Sequence, residues 1–147
     1  MATLNNEIVR NKLLEIQDHI VRIRSMDFTL EEINADRDIQ DLISHRLHIA
    51  VESAIDIAVH IISSLGLYQS HESRDFFEEL GRQKVISREL AENMGKACGL
   101  RNLIVHEYGK VDFGKLFYDY KDDLRDLEEY NKQIYGYLEK ISKVKGQ

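Results

Sequence analysis

The chain has 147 residues, 43% hydrophobic and 31% charged, with 26 acidic residues against 20 lysines and arginines for a net charge of −6. That length and balance suit one domain, residues 1–147, able to bury a core, and they lack the basic footprint of a general RNA or DNA binder. A single cysteine excludes an intrachain disulfide framework and suits a reducing cytoplasm.

No proline occurs, so long uninterrupted helices are expected. The first spans about residues 3–25, with Leu4, Ile8, Leu13, Ile16, Ile20 and Ile23 on its apolar side. Thr29 followed three residues later by Glu32 is a capping box that opens a short turn. Asp36 starts a long helix to about residue 65, carrying Leu47, Ala50, Ala54, Ile57, Ile61 and Leu65 at steps of three and four, and Gly66 reads as its stop. Residues 66–73 are a polar connector. Ser73 is placed to cap a short helix ending near Gly81, and Ser87 to cap the next. Gly109 is placed to end that helix. Asp112 caps the last one, where Leu116, Tyr120, Leu124, Leu127, Ile134, Leu138 and Ile141 recur, and residues 143–147 form a frayed tail. The pattern predicts an all-α antiparallel bundle of about four to five helices, without strands. No basic segment precedes an apolar one at the amino terminus, and no apolar run approaches the ~20 residues of a membrane span, so neither secretion nor membrane insertion is expected.

The fourth of these segments carries the chemistry. Leu90, Ala91, Met94, Ala97, Cys98, Ile104 and Val105 share one side of a helix, and Arg101 falls in the middle of that stripe. A buried arginine needs a partner, because an uncompensated buried charge costs several kcal/mol or more. Gly95, Gly99, Asn102 and His106 line up on another face. Two glycines there, each ~1 kcal/mol worse than alanine in a helix, imply close approach to that backbone. His106 lies in the last turn, where the negative end of the helix dipole favours its protonated form and suits it to acid–base work. Asn102, four residues earlier, is placed to hold one ring nitrogen. Arg101 offers a planar fork for phosphate oxygens. Arg101 and His106 are five apart, ~140° around an ideal helix. Convergence therefore needs a distorted helix end or two copies meeting across a twofold axis.

The Arg-Asn-x-x-x-His-x-Tyr order of Arg101, Asn102, His106 and Tyr108 resembles the R-x4-H-x-Tyr signature of HEPN domains, specifically the HepT toxin group. The run from Thr29 through Asp36 and Asp38, leading to Arg46, Glu52, Asp56 and His60, resembles that family's second helix, and the similarity covers nearly the whole chain. The resemblance implies a metal-independent endoribonuclease toxin with Arg101 and His106 catalytic and Asn102 supporting. It further implies a homodimer whose two motifs line one cleft, an RNA substrate, no metal and no cofactor. Tyr108 is the implied acceptor of AMP from a partner minimal nucleotidyltransferase acting as antitoxin. A phosphodiester there places negative charge beside the cleft and repels RNA phosphate.

Other constellations have plainer readings. His45, His48 and Glu52 share one side of the long helix and are metal-ligand types, but a solvated or dimer-rim face accounts for them better. Asp56 and His60 can pair across one turn. Asp36 and Asp38 suit capping and the helix dipole. Cys98 reads as a small core residue, Tyr108 by itself as an amphipathic rim tyrosine. Arg10, Arg22, Arg24, Arg37 and Arg46 are placed to form a local basic patch. No glycine-rich phosphate loop and no nucleotidyltransferase Gly-Ser motif occurs, so a nucleotide-transfer enzyme would be another chain. The competing functional reading is a non-catalytic HEPN subunit that binds nucleotide or substrate for such a transferase.

Overall fold

A computed structural model describes residues 4–67 and 72–145. Among them are six α-helices: α1 (Asn6–Arg24), α2 (Leu30–Ala35), α3 (Arg37–Ser64), α4 (Ser73–Arg82), α5 (Arg88–His106) and α6 (Phe113–Lys145). One 3-10 turn, Tyr108–Lys110, joins α5 to α6, and no strand occurs among the described residues. Cross-helix partners give the directions. From α1 to α3 the pairs are Asn5 with His60, Lys12 with Asp56, Glu15 with Ser53 and Arg22 with Arg46. From α1 to α6 they are Arg10 with Glu139 and Arg24 with Glu128. As one number rises the other falls, so these helices run antiparallel, as the sequence predicts.

Helix ends follow local chemistry. Asn5 caps α1 by accepting from the Ile8 amide, so that helix opens three residues later than expected. The Thr29–Glu32 capping box is complete. Asp36 caps α3 through the Asp38 amide at 2.9 Å. Gly66, at φ 74°, closes α3 with the paired bonds of a Schellman motif, Leu67 N–H to the Ile62 carbonyl and Gly66 N–H to that of Ser63. One expectation at α4 fails: Glu72 takes the cap position without a side-chain bond and Ser73 is already helical. The helix ends at Arg82, near Gly81 as expected, and a Cβ on Gly81 would lie 3.1 Å from that of Ala91, so the glycine lets α4 and α5 close together. Asp112 caps α6 through the Lys115 amide, and α6 runs to Lys145; residues 146–147 of the expected tail lie outside the described residues.

α3 is the central element and touches the other five helices. Its best 18-residue window has a mean hydropathy of 1.4, enough by composition for a membrane span, against the expectation above. The bundle uses that apolarity internally, burying twelve α3 residues from Ile43 to Ile62. Phe77 and Tyr130 stack edge to face at 5.6 Å, and the Tyr130 hydroxyl donates to the Ala54 carbonyl at 2.8 Å. That bond satisfies the one polar atom of a wholly buried ring. The core therefore fixes α3, α5 and α6 against one another, and the candidate site lies where they meet.

Candidate active site

Ser87 starts α5 by accepting from the Leu90 amide at 3.1 Å. Leu90, Ala91, Met94, Ala97 and Cys98 are buried as the stripe predicts. Burial pushes the Cys98 thiol up to about 11, the behaviour of an inert core residue. The stripe then loses its cover: Ile104 is half-buried, and Val105 is 42% exposed, against expectation.

Arg101 has the partner its position demands. Its Nε donates to Glu52 Oε2 at 2.8 Å, Nη2 meets the same oxygen at 2.5 Å, and Nη1 donates to Asn102 Oδ1 at 3.0 Å. Three of the guanidinium's five N–H donors are engaged, which leaves two for another acceptor. The side chain is 18% exposed and lines a crevice with Leu47, Val51, Ile104 and Asp123. Asn102 therefore steadies Arg101, not His106 as expected. His106, the last residue of α5, is exposed and makes no side-chain hydrogen bond among the described residues. α5 stays α-helical through both residues, so within one chain they diverge by ~140° about the axis and ~7 Å along it.

Gly109 does not end α5 as expected. Glu107 terminates α5, and Gly109 lies inside the 3-10 turn that follows, at a negative φ that any residue adopts. Tyr108 is half-buried, its ring edge-on to Phe113 at 5.9 Å, and its hydroxyl donates to Asp41 Oδ1 at 2.5 Å. Burial raises the phenol's pKa, and the bond to Asp41 raises it further.

Both acidic partners come from one line on α3. Asp41, His45, His48 and Glu52 follow one another at four, three and four residues, one face of a helix. His48 Nδ1 is enclosed without a partner among the described residues, and burial lowers that imidazole's pKa. Glu52 is held by Arg101, and no three His, Cys, Asp or Glu side chains among the described residues converge as metal ligands. The α3 line is thus the wall against which the end of α5 packs. Sequence reasoning missed Asp41; extending the His45–His48–Glu52 periodicity back one turn would have found it. It also missed Asp123, whose carboxyl is pushed up to about 7 by burial and then by Asp126 and Asp119. No sequence signal separates Asp123 from the other acidic residues of α6.

Of the glycine face, Gly95 is approached inside the chain: a Cβ there would lie 3.2 Å from Arg74 of α4. Gly99 has nothing within 4 Å, and with Asn102 and His106 it forms an open strip. Asp56 pairs with Lys12 at 3.2 Å, and His60 Nε2 accepts from the Asn5 amide at 3.0 Å, so those two do not pair with each other. The arginine patch is not one patch. Arg10, Arg22 and Arg24 are tied to Glu139, Asp18 and Glu128, and Arg10 sits about three turns along α1 from the other two.

The sequence matches the family described as Ribonuclease HepT-like over residues 16–134. It is 37% identical over 100 residues to the tRNA nuclease HepT of Aphanizomenon flos-aquae, covering 67% of this chain and 68% of that protein. It is 33% identical over 127 residues to the mRNA nuclease HepT of Shewanella oneidensis, covering 85% and 94%. Among solved structures, the tri-AMPylated Shewanella oneidensis HEPN toxin in complex with MNT antitoxin superposes with a TM-score of 0.82 at 30% identity, covering 90% of this chain and 99% of that one. A toxin–antitoxin structure with AMP-PNP gives the same score and identity, covering 89% and 99%. With four-fifths of its length matched, and with its fold and its Arg-x4-His-x-Tyr end in place, this chain belongs to the HepT-like ribonuclease family.

Proposed function

We propose that the chain is a metal-independent endoribonuclease toxin of the cytoplasm, active as a homodimer and neutralised by AMP transfer to Tyr108 from a minimal nucleotidyltransferase antitoxin. The observation that carries this is the contrast at the end of α5. Arg101 is fixed by Glu52 and Asn102 with two N–H groups to spare, and His106 stands open and unengaged five residues later. A fixed cation and an unengaged imidazole are what a ribonuclease using the RNA's own 2′-hydroxyl requires. His106 removes the 2′-hydroxyl proton, the 2′ oxygen attacks the adjacent phosphorus, and the 5′ oxygen leaves with a proton from a general acid. Arg101 stabilises the charge that builds on the phosphorane oxygens. The divergence of the two side chains on an unbroken helix supports assembly across a twofold, where the partner's His106 can act beside Arg101. The open Gly99–Asn102–His106 strip is the face such an assembly would use.

This chemistry leaves a signature. Cleaved RNA should carry a 2′,3′-cyclic phosphate and a 5′-hydroxyl, and a substrate with a 2′-deoxy sugar at the cut position should resist. Fragments ending in 3′-hydroxyl and 5′-phosphate would overturn the mechanism. Glu52 neutralises much of the charge on Arg101, and this favours a second reading, a non-catalytic subunit that holds nucleotide or substrate for the transferase. A purified dimer that binds RNA and never cuts it would select that reading.

A further inference from the structure

The surroundings of Tyr108 contain more than an acceptor hydroxyl. Its hydroxyl already lies against Asp41 Oδ1 at 2.5 Å, and this bond is at the surface, with Asp41 itself exposed. Asp41 is held in the second turn of α3, a helix whose start is fixed by the Asp36 cap. Phe113 of α6 packs against the ring in a T-shaped arrangement. The other groups whose charge or hydroxyl faces the phenol, Arg37 and Ser44, also come from α3. Lys110 on the same turn is tied to Glu107 at 3.0 Å. Among the described residues no imidazole and no second carboxylate is hydrogen-bonded to this hydroxyl.

We propose that Asp41 is the general base of the AMP-transfer reaction at Tyr108, supplied by the acceptor chain itself rather than by the transferase. The inference rests on the reading of Tyr108 as the AMP acceptor. A phenol is a poor nucleophile while it keeps its proton, and burial together with the Asp41 bond holds this one protonated at neutral pH. Attack therefore requires proton removal as the new bond forms, by a group already in contact with the oxygen. The Tyr108 oxygen attacks the α-phosphorus of ATP, the bond from that phosphorus to the pyrophosphate oxygen breaks, and pyrophosphate leaves. The phenolic proton passes to Asp41, which is exposed and releases it to water. The cation of Arg37, one turn earlier on α3, acts electrostatically on the phenol and opposes the rise in its pKa. The transferase then has to bring nucleotide and metal to an acceptor that is already primed.

The test is a time course of AMP incorporation from ATP by the cognate minimal nucleotidyltransferase, read by peptide mass spectrometry on the full chain. Wild type, Asp41→Asn, Asp41→Glu and Tyr108→Phe are compared from pH 6.5 to 9. Asparagine still offers an oxygen to the Tyr108 hydroxyl, so a merely structural bond would survive that change. We expect Asp41→Asn to be slowed about 10²-fold or more at pH 7. Its rate should climb about tenfold per pH unit toward pH 9 as free phenolate takes over, against a flatter wild-type profile. Asp41→Glu should recover part of the rate, and Tyr108→Phe should show no adduct on that peptide. Modification of Asp41→Asn at the wild-type rate and with the wild-type pH profile would overturn the role of Asp41 while leaving Tyr108 as acceptor. A wild-type chain modified only on another residue, or not at all, would remove both.

Discussion

The ion pair between Arg101 and Glu52 is the part of the site most open to a quantitative test. Glu52→Gln keeps the shape of the side chain and one acceptor oxygen but removes its charge. The two side chains are 18% and 36% exposed, so the pair is neither a surface contact nor a buried one. Two unit charges ~4 Å apart attract by ~1 kcal/mol in water and ~4 kcal/mol at the effective dielectric of a protein surface, and desolvation returns part of that. A net loss of ~1–2 kcal/mol follows, above the 0–1 kcal/mol typical of exposed pairs. For a chain of this length that lowers the melting temperature by about 2–8 °C. The consequence for activity is separate. A guanidinium released from Glu52 keeps its charge but loses its aim, and a misplacement of about 1 Å can cost about 10² in rate. RNA cleavage should therefore fall in kcat more than in KM. Thermal melts of Glu52→Gln, Arg101→Ala and the double variant form a cycle that isolates the coupling. A coupling below ~0.3 kcal/mol, or Glu52→Gln with wild-type kcat, would refute the claim that Glu52 positions Arg101.

Two further outcomes are expected. A Cβ at Gly99 meets nothing within 4 Å in the chain, so Gly99→Leu should stabilise the monomer by up to ~1 kcal/mol through helix propensity, while weakening the dimer and losing cleavage; light scattering showing an intact, active dimer would remove the open strip from the interface. Asp123 is held near 7 in the folded chain against an unfolded value near 3.8, so the folded state keeps a proton that the unfolded state has released between those values. Stability is unaffected by this group below about pH 4, declines as pH rises from about 4 to 7, and levels off above. Asp123→Asn should flatten that slope and be ~1–3 kcal/mol more stable at pH 8; denaturation curves that stay parallel to wild type across this range would contradict it.

Much of this was legible because helices announce themselves locally. The Thr29–Glu32 box, the Asp36 cap and the Gly66 stop each carry their own physical cause, and each is found where the sequence puts it. The three- and four-residue apolar steps mark most of the core, with Ile8 and Val105 as exposed exceptions. Gly109 misled because a glycine near a helix end need not be its stop: α5 ends at His106, and Gly109 sits in the ordinary turn that follows. The demand that Arg101 find a partner was readable from its place in the apolar stripe. The identity of that partner was not, since Glu52 lies 49 residues away and only the antiparallel packing of α3 and α5 brings it near. Asp41 and Tyr108 are 67 apart and meet for the same reason. Asn102 was assigned to His106 by spacing alone, whereas its oxygen goes to the adjacent guanidinium, the nearest strong donor.

The most direct test of the account is RNA cleavage by His106→Ala. The imidazole is exposed and makes no hydrogen bond among the described residues, so its removal should leave the melting temperature within a degree or two of wild type. Cleavage by the purified dimer should fall ~10²–10⁴-fold, and cleavage by the unaltered chain should persist in the presence of a chelator such as EDTA. His106→Ala cutting RNA at the wild-type rate, or wild-type activity that disappears with the chelator, would contradict the central claim that this imidazole performs the chemistry without a metal.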